Sequence, residues 1–440
     1  MGSIFEKFRQ FRANADEPDY DCRENCFMRL YRNVNKAEYE EWIKALTADG
    51  FEILQQTDNN ANLYTCLAGE VVINAFFTPC DGILRVAATE KKLVPCFTEQ
   101  TCDGDGETAF YGFESDQALI DCGMCLMVQC PDYSFFVVDS GHYMQFNDND
   151  RIYKFMRDRT PEGQKVVVNG WLLTHAHSDH ISKFMDFLRY NRNDVIIEGI
   201  YSNLIPDTNC NSQYWSTEEV LLSRKLFKML DETDIPTYKI HTGQRFYIRN
   251  LCFDVMGTHE DIYPQVMKDY NDSSCMVMLT AEGSRIFIPG DASNLASLEL
   301  TKRYGKTLKC DIVQISHHGH NGLYKEAYEL LGADAAVFPI TRIKFDEEYP
   351  RIEANRRAIE IASSYYITSD GTVKFPLPYS ADKVEKLPDE TFEDFGKIER
   401  LWGYTYTDER KKELFDLFIA NGGDIHSTNL PVRYEGIFEM

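Results

Sequence analysis

The sequence predicts an α/β chain in which strands alternate with helices, preceded by a smaller α+β module. Three observations carry this. First, the apolar, β-branched run at 166–173 is followed by Ile181, Phe184, Met185 and Leu188, spaced i, i+3, i+4, i+7 as on one face of a helix. Second, the run 311–315 is followed by Leu323, Ala327, Leu330 and Leu331, a helix ended by Gly332, and then by the strand-like 335–338. That helix–strand return fits a sandwich with helices outside both sheets. Third, before residue 110 the order is strand, helix, then several strands.

Residues 1–20 are polar and read as a helix or a frayed arm. A strand is expected at 26–30. Asn35 and Glu38 have capping-box spacing, and Tyr39, Trp42, Ile43 and Leu46 form a helical stripe stopped by Asp49 and Gly50. Strands are expected at 63–66, 71–77 and 84–86. No catalytic residue is legible in this module, so its role is read as dimerisation or as a rim to a substrate pocket. The Asp-Gly-Asp-Gly stretch at 103–106 reads as a linker. Strands follow at 124–128 and 135–138. Cys122 and Cys125 form a lone C-x-x-C; without a second pair they read as buried apolar cysteines rather than a zinc ribbon. Residues 378–395 are polar and acidic, like a linker, and Leu414, Phe415, Leu417 and Phe418 belong to a terminal helix stopped by Asn421, Gly422 and Gly423. The expected division is 1–110, a small α+β domain; 111–378, the catalytic domain; and 379–440, a C-terminal helical extension.

The densest chemistry lies at His175, His177, Asp179 and His180, in a chain with only 10 histidines among 440 residues. A polar loop rich in histidine by chance is the plain alternative. Crowded imidazoles and carboxylates need partners, and transition-metal ions are the partners they suit. The cluster sits where a strand turns into a helix, with Ser178 or Asp179 placed to cap that helix. His175 and His177 can point one way and Asp179 and His180 another, which suits two neighbouring metals better than one. Neutral imidazole and carboxylate fit zinc first, with manganese or iron as alternatives.

This His-x-His-x-Asp-His pattern after a strand resembles the signature of the metallo-β-lactamase fold. Further motifs of that family are found in order at strand ends: 135–141 ending near Asp139, 253–259 ending in His259, 285–291 ending in Asp291, and 311–319 ending in His317, His318 and Gly319. The resemblance covers residues 115–375 and implies a four-layer αββα sandwich. It implies His175, His177, Asp179, His180, His259, Asp291 and His318 as metal ligands, with Asp291 bridging two divalent ions. Asp139 would orient a ligand histidine without binding metal itself. Of the adjacent pair, His318 is favoured as the ligand and His317 as the contact to the oxyanion or leaving group, with the reverse left open. Asp179 and His317 are the catalytic candidates. Asn271, Asp272, Ser273 and Ser274, with the Gly-Asp and His-His-Gly motifs, are similar to the soluble ComEC-type competence domain and to phosphorylcholine esterases. That branch implies phosphoester hydrolysis, of a diester first, with a hydroxide shared by two ions about 3.5–4 Å apart as nucleophile.

The chain departs from the family at Ser182 and Lys183 after the Asp-His pair, at His320 after His-His-Gly, and at Tyr349-Pro350. These departures keep alternatives in view: hydrolysis of a carboxylic ester, thioester or lactone, or a metal- or ligand-binding regulator without turnover. Redox chemistry at a di-iron centre ranks lower, because no flavodoxin-like segment accompanies the domain. His142 could line the site rim, His320 is a rim residue or substrate contact, and His241 and His426 read as surface or satisfied core residues.

The formal net charge of −24 argues against an extended nucleic-acid partner, which wants a basic surface, although bound metal could still supply local positive charge for a nuclease. A small-molecule or phosphoester substrate is expected instead, with a homodimer as an option. Thirteen irregularly spaced cysteines and no secretory leader point to the reducing cytoplasm. No apolar run reaches membrane-spanning length.

Overall fold

A computed structural model describes residues 3–59, 61–115, 120–145, 148–206, 209, 217–267 and 270–387. The N-terminal module contains strands β1 (Tyr20–Asp21) and β2 (Cys26–Tyr31), helix α1 (Lys36–Ala48), and strands β3 (Glu52–Asn59), β4 (Asn62–Ala68), β5 (Val72–Thr78) and β6 (Ile83–Thr89). They form one antiparallel sheet in the order β1-β2-β6-β5-β4-β3. The capping box of Asn35 and Glu38 is present. Tyr39, Trp42, Ile43 and Leu46 bury the α1 stripe against Leu67, Ile73, Phe77, Leu84 and Val86 on one face of the sheet. The polar strand β3 escapes sequence reading because it is a largely solvent-facing edge without apolar alternation. Among the described residues before β1 there is only a short 3-10 turn, Ile4–Lys7.

The other face of the module rests on the following domain. Gln55 donates to the Arg245 carbonyl, Thr57 Oγ1 donates to the Gly243 carbonyl at 3.0 Å, and Arg85 donates to the carbonyls of Glu260 (3.2 Å) and Asp261 (3.0 Å). Gly243 lies at φ +92, and a Cβ there would meet Phe76 at 2.7 Å, so the close approach of the two parts requires glycine.

The larger domain begins with β7 (Ala109–Gly112), β8 (Cys125–Gln129) and β9 (Phe135–Asp139). There follow α2 (Asp148–Asp158), β10 (Val166–Leu173), α3 (Ser178–Tyr190), β11 (Val195–Ile197), β12 (Ile200–Ser202), α4 (Thr217–Glu232) and β13 (Thr237–Lys239). Next come β14 (Arg245–Ile248), β15 (Leu251–Gly257), β16 (Met276–Ala281), β17 (Ser284–Ile288), α5 (Asn294–Tyr304), β18 (Ile312–Gln314), α6 (Lys325–Leu331) and β19 (Ala335–Phe338). The described chain ends with α7 (Arg342–Glu348), α8 (Glu353–Ile361), β20 (Ser364–Ile367), β21 (Val373–Pro376) and β22 (Glu385–Lys386). One sheet runs β13-β12-β10-β9-β8-β7-β21-β22, with β11 also on β10; the other runs β14 through β20 in chain order.

Side-chain alternation places these sheets face to face. Phe136, Val138 and Leu172 pack inward against Phe253, Val255, Val277 and Ile286 of the second sheet. Val137, Trp171 and Leu173 point outward, into a core shared with Phe155 of α2, Phe184 of α3 and Leu226 of α4. Phe287, Val313 and Ala336 do the same for the second sheet, beside Leu300 of α5 and Ala327 of α6. The result is the four-layer αββα sandwich that the strand and helix order implied. Each sheet is part antiparallel and part parallel. The parallel parts, β9-β10-β12 and β17-β18-β19, bring their C-terminal ends to one edge.

At the C-terminal side β22 pairs with β21, so residues expected as linker add a short strand to the first sheet. The terminal helix expected around Leu414 to Phe418, together with His426, lies outside the described residues. Among the described residues no helix is long and apolar enough to cross a membrane.

Candidate metal centre

The edge at the ends of β9, β10, β17 and β18 collects Asp139, His175, Asp291 and His318. The first turn of α3 adds Asp179 and His180. Two largely buried groups result, each with one partly exposed member, Asp179 or His177: Asp179, His180, Asp291 and His318; and His175, His177 and Asp291, with one ligand atom of each residue lying within 4.8 Å of the others in its group. Asp291 belongs to both.

Hydrogen bonds set which nitrogen of each ring faces inward. His180 Nδ1 lies 2.7 Å from Asp139 Oδ2, and His318 Nδ1 lies 2.8 Å from the Pro339 carbonyl. Both acceptors take the ring proton, which leaves the Nε2 lone pairs pointing at each other 3.2 Å apart. The Thr174 hydroxyl donates to Asp139 Oδ2 at 2.6 Å, so its oxygen accepts from His175 Nδ1 at 3.1 Å. His175 Nε2 is thereby an acceptor, facing His177 Nδ1 at 3.2 Å and Asn271 Oδ1 at 3.1 Å. Acceptor facing acceptor, at His180 Nε2 with His318 Nε2 and at His175 Nε2 with Asn271 Oδ1, favours a cation between them in a buried site. Asp291 Oδ1, buried and without a hydrogen-bond partner, adds to that requirement.

The electrostatics agree. Burial opposes protonation of His318, but Asp291 and Asp179 overcome it and hold its pKa up at about 10. Burial likewise opposes the charge on Asp291 and Asp179, yet the neighbouring histidines, His180 foremost, keep both carboxyls well below their usual range. His175 is pushed well below the ordinary histidine value, first by burial and then by His180. The site therefore concentrates negative charge that only protons or metal ions neutralise. Imidazole and carboxylate donors in this number fit two divalent ions.

The local backbone explains why the groups meet. Asp139, His317 and His318 all lie in the left-handed region, at φ +54, +52 and +57. Two consecutive left-handed residues throw His318 into the cluster, 2.9 Å from Asp179 Oδ2 and 3.3 Å from Asp291 Oδ2, and leave His317 outside it. Gly290 at φ +59 has no room for a side chain, since a Cβ would lie 2.9 Å from Thr174 Cβ. The α3 helix begins after His177 with no cap from its own side chains. Neither Ser178 nor Asp179 acts as the cap. Glu219 from α4 does so instead, accepting from the Ser178 amide at 3.1 Å and its hydroxyl at 3.0 Å.

The expected ligand His259 is not brought to the cluster. Its Nδ1 meets the Tyr20 hydroxyl and its Nε2 meets Asn203 Oδ1, each at 2.9 Å, and burial pushes its pKa down to about 3. Both ring nitrogens are committed, Nδ1 to the module and Nε2 to the sandwich itself. Asn271 stands at the cluster in its place. No ligand expectation attached to it, because an amide oxygen is a weak sequence signal beside a histidine. Its Nδ2 also lies 3.2 Å from His317 Nε2.

The remaining histidines separate clearly. His142 is buried, and burial pushes its pKa down to about 3. His241 is buried against Glu260 at 2.9 Å. His320 stays partly exposed, its ring 5.3 Å from that of His317 and its Nδ1 3.7 Å from Glu348. Ser182 and Lys183, which depart from the family pattern, bond within α3, to the Ser178 carbonyl at 2.6 Å and to Asp186 at 2.5 Å. Tyr349 stacks on Phe345.

No family model and no curated protein matches the chain. Solved structures similar to it include the metallo-β-lactamase fold protein YhfI from Bacillus subtilis, 11% identical with a TM-score of 0.38, over 60% of this chain and 97% of that one. Unliganded yeast PDE1 is 12% identical with a TM-score of 0.37, over 60% and 98%. The diiron β-hydroxylase CmlA from Streptomyces venezuelae is 12% identical with a TM-score of 0.36, over 62% and 54%. At these values the chemistry has to be read from the side chains of this chain.

Proposed function

We propose that this chain is a metal-dependent hydrolase that cleaves a phosphoester, a phosphodiester first, at a site for two divalent ions. The observation that supports this most is the set of inward-facing lone pairs on His175, His180 and His318, each held by a bond to its other ring nitrogen. Zinc is the first choice for the ions, with manganese or iron next. Ions held there supply Lewis acidity and make a bound water acidic enough to lose a proton near neutral pH.

The chain's own residues do the rest. His175, His177 and Asn271 face one position, and Asp179, His180 and His318 the other, with Asp291 between. Two divalent cations less two ligating carboxylates leave a net charge of about +2, which favours an anionic phosphodiester over a neutral acyl ester. Asp179, the most exposed carboxylate of the cluster at 13% against 1% for Asp291, is placed to take the proton of the attacking water. His317, held by Asn271, reaches outward to meet charge developing on the phosphoryl or leaving oxygen. Asp139 and Thr174 hold ring orientation.

The N-terminal module has one face covered by α1 and the other by the sandwich, which supports a bracing role over dimerisation. The cysteines among the described residues are all free, in keeping with a reducing cytoplasm. The test is elemental mass spectrometry on protein purified without chelator, beside turnover of bis(p-nitrophenyl) phosphate and p-nitrophenyl acetate. About two metals per chain and chelator-sensitive cleavage of the phosphodiester are expected. Faster cleavage of the acetate would move the reading to acyl esters, and a metal-free protein that stays empty on reconstitution would overturn it.

A further inference from the structure

A groove of about 790 Å³ opens beside the metal centre, within the size range of small-molecule sites. Its walls are the first turns of α5, the loop that follows His320, and the start of α8. It is linked to the centre through His317: Asn321 on its wall offers its carbonyl to His317 Nδ1 at 3.4 Å, and His317 Nε2 lies 3.2 Å from Asn271 Nδ2.

The lining is apolar where it is most open. Leu298 and Tyr324 are 55% and 40% exposed, two of the few large hydrophobic side chains left in solvent, and both line this one groove. The Tyr324 amide donates at 3.0 Å to the Oγ of Ser297, the neighbour of Leu298, which ties the loop to α5. Apolar surface left open in a concavity next to reactive groups marks a ligand site more than a bare surface. The charges around it are Lys325, already paired with Glu353 at 2.6 Å, and Glu326. The balance is negative, so a second phosphate along the groove is disfavoured.

We propose that this groove binds the alcohol arm of the ester, an uncharged alkyl or aryl group, with Leu298 and Tyr324 setting the preference for its length. This rests on the hydrolase reading for the position of the phosphoryl group, and it names what that group is attached to. The arm leaves His317 on the Asn321 side and lies between α5 and the loop. A polynucleotide, with a charge at every residue, is the wrong shape of substrate for it.

The test is calorimetric binding of methyl, butyl and hexyl phosphate to the metal-loaded protein, in wild type and in Leu298→Asp. Complete burial of a methylene strengthens binding about four-fold and burial of half its surface about two-fold. Affinity should rise roughly 30-fold from methyl to hexyl phosphate across the five added methylenes, at that half-buried value. In Leu298→Asp, which changes an exposed side chain outside the metal cluster, methyl phosphate should bind as in wild type and the rise should flatten. Methyl phosphate binding with no dependence on length overturns the groove and leaves the hydrolase reading standing. A length dependence without turnover of any ester keeps the groove and removes the hydrolase reading. No binding at any length overturns both.

Discussion

Replacing Asp139 by Asn tests the argument that ring orientation, not ligand identity alone, makes the metal centre. In the wild type Oδ1 accepts from the Thr174 amide at 2.8 Å, while Oδ2 accepts from the Thr174 hydroxyl at 2.6 Å and from His180 Nδ1 at 2.7 Å. An asparagine keeps the first acceptor and turns the second into an amide that donates. Three donors then face one another, and His180 and His175 lose the contacts that decide which nitrogen points inward. Loss of an outer contact of this kind costs 10–100-fold in metal affinity, about 1.4–2.7 kcal/mol. Competition for zinc against a chromophoric chelator reads that loss directly. A melt in excess chelator separates it from any loss of folding. If the variant folds without metal and still binds zinc within about two-fold of wild type, the orientation argument is wrong.

Three further outcomes are expected. His259→Gln should leave metal stoichiometry unchanged while lowering stability by about 1–3 kcal/mol, from its two buried hydrogen bonds, whereas Asn271→Ala should weaken metal binding; elemental analysis and chemical denaturation read both. His259 is also a pH sensor of stability. Its folded pKa, about 3, lies below the unfolded value, so its contribution is complete above pH 6.5 and falls with pH by about 1.4 kcal/mol per unit toward pH 3. Other buried histidines, His142 among them, add slopes of their own, so urea denaturation at pH 7 and 4.5 should show wild type losing more stability than His259→Gln, the difference corresponding to one proton. Asp261→Ala removes one of the carboxylates on the buried Arg303, 2.7 Å away, and leaves Glu299 at 2.8 Å, so it should cost about 3 kcal/mol, the low end for a buried pair. Asp261 also faces Arg85 of the module at 4.0 Å, so calorimetry should show a lowered melting temperature with the metal content kept; an unchanged melting curve would refute a structural role for this pair.

Much of this centre is visible in the sequence because its residues are local. His175, His177, Asp179 and His180 share one turn, and Asp139, Asp291 and His318 each stand at the end of an apolar run. Side-chain alternation then leaves them little choice of edge. What is hidden depends on contacts made from a distance. Glu219 caps a helix that begins some forty residues earlier, and nothing near Glu219 announces it. His259 has the right spacing for a ligand, but Tyr20 and Asn203 claim both its nitrogens, and Tyr20 comes from the other end of the chain. Strand β3 is hidden for a different reason, since a polar edge strand has no periodic apolar signal to read.

The joint built on Tyr20, His259, Arg85 and Gly243 has a practical consequence. His259 and the 260–261 carbonyls, the sandwich's side of much of this joint, belong to the stretch between β15 and β16 that leads into Asn271 and one wall of the centre. Trimming the first hundred residues would leave His259 and the 260–261 carbonyls facing water beside that wall. The sandwich on its own is therefore the wrong fragment to express, graft or shuffle; the smallest portable unit takes in the module from Ile4 and Phe5, which are buried in its core.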